Sequence, residues 1–199
     1  MYCESNFVLE LAYEQSEATY CQQLLAAAKE GRINLAIPAY SLTEPYETLV
    51  RRSKQRTLLH TSLRDELRQL SRSSSYQSKQ ESFREVTGVL IDSIEEQRQA
   101  LDRVVTEILE IARILPVTAD VVRKALELKE TLKLSPQDAF VYSSVLSDAE
   151  TNHTDPKCFI TLNSNDFNDD EISNDLDFHH CALFFKFKDG VTHSLPAKE

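Results

Sequence analysis

The chain has 199 residues, enough to bury a core and short enough that one domain is the starting expectation. With 41% hydrophobic and 27% charged residues it has the make-up of a folded globular protein, so wholesale disorder is excluded. The net charge of -10 argues against nonspecific coating of nucleic acid, which needs Lys and Arg, but not against a metal site, whose acidic ligands and bound ion together reverse the local field.

No run approaches the roughly 18 consecutive apolar residues that cross a bilayer. Glu4 stands where a secretory leader would be apolar, so a cytoplasmic protein without a membrane partner is expected. Cys3, Cys21, Cys158 and Cys181 form no CxxC pair, which fits reduced thiols, and His60, His153, His179, His180 and His193 lack ligand spacing to them, which leaves zinc unsupported. Only three glycines occur, Gly31, Gly88 and Gly190, so no glycine-rich loop is present to cradle a nucleotide phosphate.

In chain order, a short strand from Met1 to Cys3 leads into a helical pattern that runs through Leu24, Leu25 and Ala28 and stops at Gly31. Ile33 to Ile37 reads as a buried strand ended by Pro38. From Glu44 to Ile114 no strand signal appears and leucines recur at helical spacing. Leu59, Leu63, Leu67 and Leu70 form one stripe, and Phe83, Val86, Leu90, Ile94, Leu101, Val105 and Ile108 another, with the serine-rich Ser71 to Ser78 as the turn between two helices. A strand around Ile114 to Val117, a helix from Ala119 to Glu130, a helix from Pro136 to Asp148, a strand from Cys158 to Leu162 and a last strand from Ala182 to Phe187 complete the pattern. Strands alternating with helices imply parallel pairing with right-handed crossovers, hence an α/β sandwich in a single domain over 1–199, elaborated by a helical hairpin over 46–112. The hairpin's stripes pack on each other or on the sheet, with a homodimer through them as the alternative.

Four acidic or amide clusters fall at strand ends or at the helix starts that follow: Glu4-Ser5-Asn6, Glu44, Asp138, and Asn163 with Asp166. Ligands of open parallel sheets bind outside the carboxyl ends of the strands, so these segments can converge. Clustered carboxylates repel one another unless a cation neutralises them, and an all-oxygen set selects Mg²⁺ or Mn²⁺ over zinc. Such an ion polarises a phosphodiester and generates hydroxide from bound water, which makes metal-assisted hydrolysis the matching chemistry. Each cluster also has a plainer explanation. Ser41-Leu42-Thr43-Glu44 has the form of a capping box, Ser135-Pro136-Gln137-Asp138 that of a helix N-terminus, and Asp166 opens an acidic loop with Asp169, Asp170 and Glu171.

The ordered set resembles the PIN-domain family. Tyr2-Cys3-Glu4-Ser5-Asn6-Phe7-Val8-Leu9 is similar to its opening motif, Pro38-Ala39-Tyr40-Ser41-Leu42-Thr43-Glu44 to the second, Asp138-Ala139-Phe140-Val141 to the third, and Thr161-Leu162-Asn163-Ser164-Asn165-Asp166-Phe167 to the fourth. The resemblance implies a three-layer sandwich around a central parallel five-stranded sheet, and a Mg²⁺ or Mn²⁺ site held by Glu4, Glu44, Asp138 and Asp166, with Asn163 and Thr161 orienting ligands or water. It also implies endoribonuclease activity on single-stranded RNA and, as in toxin-antitoxin modules, a small inhibitory partner protein. Two features depart from the family: Glu4 stands where it usually has Asp, and the segment from about Tyr46 to Ala112 exceeds the compact relatives. A scaffold with weakened catalysis that acts through a protein partner is therefore the alternative, and cleavage of DNA flaps a further one. Arg51, Arg52 and Arg56, continued by Arg64, Arg68 and Arg72, supply positive charge that could grip a phosphate backbone beside the metal, or else a solvated face paired with the acidic helix from Glu81 to Glu110.

Overall fold

The computed structural model describes residues 1–153 and 156–195. Five short strands, β1 (Tyr2–Cys3), β2 (Ala36–Pro38), β3 (Arg113–Leu115), β4 (Lys157–Ile160) and β5 (Cys181–Phe184), form one sheet in the order β3-β2-β1-β4-β5. Every pairing is parallel, with Tyr2 opposite both Ala36 and Phe159, Ile37 opposite Ile114, and Cys158 opposite Ala182. Parallel neighbours cannot be joined by a tight turn, and the helices that cross between them cover both faces.

The period of two along each strand divides its side chains between two cores. Cys3, Ile37, Cys158 and Ile160 face helices α1 (Ser5–Tyr13), α2 (Ala18–Lys29), the first part of α3 (Ala39–Leu70), the last part of α5 (Gln80–Ile111) and α10 (Phe187–Ser194). Tyr2, Ala36, Leu115, Phe159 and Cys181 face α6 (Ala119–Thr131), α7 (Pro136–Thr151) and α9 (Asp170–Phe178). Two layers of helix around a parallel sheet are the sandwich expected. Tyr2 also ties the layers at the buried end of β1, its hydroxyl donating to Asp148 at 2.8 Å while Arg113 grips the same carboxylate at 2.5 and 2.6 Å.

Several element boundaries differ from expectation. The first helical pattern breaks into α1 and α2 at Glu14, whose φ of 49° ends α1, while the buried Glu10 carboxylate accepts from the Glu17 amide at 2.6 Å and fixes the corner. Pro38 is the last residue of β2 rather than its terminator, because its fixed φ suits a strand end that passes directly into α3. The acidic stretch after Asp166 is structured: α8 (Ser164–Phe167) precedes Asp169, which caps α9 by accepting from the Glu171 and Ile172 amides. Phe187 belongs to α10, not to the last strand, and its ring packs against Phe7 at 5.6 Å.

The hairpin forms as α3 and α5, with α4 (Ser74–Gln77) in the serine-rich turn. Its base is part of the core. Leu49, Leu101 and Ile108 are buried there, Tyr46 donates to Asp102 at 2.8 Å, and Arg56 crosses from α3 to Ser93 and Gln97 on α5. Its outer half has only its partner helix to pack on, so Leu58, Val86 and Val89 remain 62%, 68% and 64% exposed. Gly88 sits inside α5 there, a residue that costs about 1 kcal/mol relative to Ala in a helix interior. Its backbone is not in the left-handed region, so no torsional demand explains it.

Candidate active site

The chain reverses direction at β1: β2 and β3 extend the sheet to one side, β4 and β5 to the other. The crevice at the carboxyl ends of β1 and β4 is therefore the switch point at which ligands of such sheets bind.

Glu4 follows β1 directly and caps α1. Its carboxylate accepts from the Asn6 amide at 3.2 Å, the Asn6 side-chain nitrogen at 2.5 Å and the Thr161 hydroxyl at 3.2 Å, and the residue is only 6% exposed. Burial lifts its pKa to about 7 against the opposing pull of the Asn6 donors, and the neighbouring charge of Glu44 adds to the rise. The extra methylene of Glu4 is thus taken up by turning the carboxylate back over the start of its own helix.

Glu44 lies in the second turn of α3 and accepts a hydrogen bond from the Ser5 hydroxyl. The capping box does not form. The helix begins at Ala39 after Pro38, which places Ser41 inside it, buried and with its hydroxyl unpartnered, and leaves Glu44 to Ser5.

At Asp138 the helix-start explanation and the site explanation both hold. Ser135 caps α7 by accepting from the Asp138 amide at 3.1 Å, and its hydroxyl donates to one carboxylate oxygen at 2.5 Å while Asn163 donates to the other at 3.1 Å. Burial raises this carboxyl's pKa, the Ser135 hydrogen bond opposes the rise, and the charge of Asp166 adds to it. Thr161 joins the two halves, because its hydroxyl donates to Glu4 and accepts from the Asn163 amide at 2.9 Å.

Glu4, Ser5, Asn6, Glu44, Asp138 and Asn163 line one cavity of about 330 Å³, together with apolar side chains and, among the described residues, with no Lys or Arg. The helix N-termini of α1, α3 and α7 face this region, and their partial positive charge favours anions there. Asp166 does not line the cavity. It is exposed on α8 and reaches the cavity only through its charge on Asp138. Nor do Arg51, Arg52 and Arg56. Arg51 is exposed, Arg52 lies near Tyr13, and Arg56 is engaged with Ser93 and Gln97 across the hairpin.

Two residues missed in the sequence reading stand beside the carboxylates. Tyr40 and Phe140 stack with centroids 6.0 Å apart and planes at 20°. Burial raises the Tyr40 hydroxyl's pKa, and the charges of Glu47, Glu44 and Asp138 raise it further, which places the ring at the acidic rim. The spacing of four between Tyr40 and Glu44 on one helix was the available signal, since it sets both on one face.

The donors offered by the cavity are carboxylate, amide and hydroxyl oxygens, the set a hard divalent cation takes. Among the described residues no three Asp, Glu, His or Cys side chains already stand close enough to share one ion. The residues therefore fit in kind, and ligation requires side chains to exchange some of their present hydrogen bonds. No curated protein and no solved structure matches the chain. The model of the PIN domain, a family of nucleases, matches residues 2–167, and the chain belongs to that family.

Proposed function

We propose that the protein is an endoribonuclease that hydrolyses phosphodiester bonds of single-stranded RNA with Mg²⁺ or Mn²⁺. PIN domains are typically nucleases and generally bind divalent metals. The observation that carries the reading here is the cavity at the switch point, bounded by carboxylates from α3, α7 and the end of β1, with neither Lys nor Arg among the described residues that line it.

Glu4, Glu44 and Asp138 would hold the ion, with Asp166, outside the cavity, reaching it through water. When bound, the ion supplies Lewis acidity toward the phosphate and a lowered pKa for water. The chain's own residues orient the ligands: Asn6 and Thr161 hold Glu4, Ser5 holds Glu44, and Ser135 and Asn163 hold Asp138. Such supporting partners fix carboxylate direction. The Tyr40–Phe140 pair offers an aromatic face on which a base of an unpaired strand can stack, a contact that tolerates any sequence. Cleavage of labelled single-stranded RNA with Mn²⁺, with Mg²⁺ and with EDTA tests the proposal, alongside Asp138→Asn. Metal-dependent cleavage lost in the variant supports it, and equal cleavage by both proteins contradicts it.

One observation favours a second reading, a scaffold with weakened catalysis that acts through a protein partner. The Glu4 carboxylate is turned inward onto three donors, and its pKa near 7 leaves much of it protonated at neutral pH. Glu4→Asp separates the two: under the nuclease reading it keeps or raises cleavage, whereas under the second neither protein cuts.

A further inference from the structure

The molecule carries a second cavity, of about 530 Å³, at the outer end of the hairpin. We propose that it binds a phosphorylated nucleoside, presented as a residue of the RNA strand, and so serves as a remote grip on substrate; the proposal rests on the nuclease reading above.

The cavity is built from both helices. On α3 the spacing of four sets His60, Arg64 and Arg68 on one face, and α5 contributes Phe83, Arg84 and Gly88. Among the described residues no carboxylate lines it, although the chain as a whole carries -10. The guanidiniums are weakly committed elsewhere. Arg64 meets Asp65 at 3.6 Å and Arg84 meets Glu81 at 3.8 Å, both exposed pairs of little strength, and no carboxylate lies within ion-pair distance of Arg68 among the described residues. Three guanidiniums around one space select phosphate oxygens, which they can engage in bidentate fashion, and the Phe83 ring beside them offers a base a stacking partner.

Gly88 is the second indication. A Cβ added there would meet nothing nearer than Asp92 Oδ2 at 3.8 Å, so packing within the protein does not require glycine. Its backbone conformation does not require it either. What its missing side chain provides is room on the cavity wall. The volume lies within the range of about 300–1,000 Å³ of small-ligand sites. Twenty helical residues separate Glu44 from Arg64 on α3, about 30 Å at 1.5 Å per residue, so a strand cut at the acidic cavity could reach the grip only when several nucleotides long.

The test uses the full chain in EDTA, where binding is read without cleavage. Fluorescence anisotropy of a labelled single-stranded RNA of about 20 nucleotides is measured for the parent, for Gly88→Leu, which fills the cavity while favouring the helix, and for Arg64→Ala/Arg68→Ala/Arg84→Ala. The expected result is at least a tenfold weaker Kd in each, with the salt slope of the triple variant smaller by about 2, from roughly 0.7 per phosphate contact. Calorimetry with nucleoside monophosphate distinguishes the sources. Binding that Gly88→Leu abolishes shows that a free nucleotide also enters, whereas RNA loss alone assigns the strand. Unchanged RNA affinity in both variants overturns the proposal, as does an equally Gly88-dependent affinity for a polyglutamate peptide. RNA bound in a Gly88-dependent way but never cut with Mn²⁺ would retain this site and remove the nuclease reading; RNA cut normally with unaltered affinity would do the reverse.

Discussion

The cavity at the sheet and the cavity at the hairpin tip are opposites in charge and in construction. Among the described residues, the first is lined by carboxylates without Lys or Arg, the second by guanidiniums without a carboxylate. The first rests on elements that pass through both cores, and each of its acids is held by a hydroxyl or amide from another segment. The second is walled by the outer parts of the two long helices, with apolar side chains left in solvent around it. A hard cation is served by carboxylates whose direction is fixed by supporting partners, which a packed core provides. A phosphate grip requires long cationic side chains with freedom to adapt, which a protruding hairpin provides.

The contrast can be broken or sharpened by measurement. The largest expected effect is at the acidic cavity: Asp138→Asn should lower Mn²⁺-dependent RNA cleavage by more than about 100-fold in a steady-state assay, since ligands exceed the 10–100-fold typical of their supporting partners. Its melting temperature should change little, because the Ser135 cap on its amide survives. Next come the two parts of the hairpin. Leu101→Ala, at the buried base, should cost about 2–5 kcal/mol in urea unfolding, and Leu63→Ala, near the tip, less than about 1 kcal/mol. Equal losses would mean that the outer half is covered in solution, as by a second copy.

A third prediction concerns pH. The folded protein keeps the Glu4 proton up to about pH 7, whereas an unfolded glutamate releases it near 4.5, so folding takes up a proton between these values. The contribution to stability is complete below about 4.5 and is lost as pH rises through 7, a change on the order of 3 kcal/mol. Unfolding free energies in EDTA should therefore fall more steeply with pH in the parent than in Glu4→Gln, and parallel curves would refute the inward placement of this carboxylate. The smallest effect is expected at the supporting residues. Thr161→Ala and Asn163→Ala should each lower cleavage about tenfold and weaken Mn²⁺ binding in calorimetry.

Much of the α/β pattern was legible because local signals mark several of its elements. Pro38 marked the end of β2, the Ser135-Pro136 pair the start of α7 and the apolar run from Cys158 the strand β4. The hairpin was equally plain as two helices, since two apolar stripes at helical spacing are separated by a serine-rich turn. Of the proposed acidic set, Glu4, Glu44 and Asp138 could be placed together because each follows a strand end or starts a helix. Asp166 has the same local credentials and yet lies outside, since its position depends on how tightly α8 turns after Asn163. The corner at Glu14 was missed because a lone left-handed residue leaves no trace in hydrophobic periodicity.

By itself the sequence determined the α/β class, the protruding hairpin and the order of the acidic motifs, all of which follow from periodicities and caps read over a dozen residues at a time. Only the tertiary structure decided that Glu4 turns inward onto Thr161, that Tyr40 stacks on Phe140, and that Arg64 and Arg84 share one cavity. Those contacts join residues far apart in the chain, and their geometry is set by how whole elements pack, a quantity that no local pattern contains.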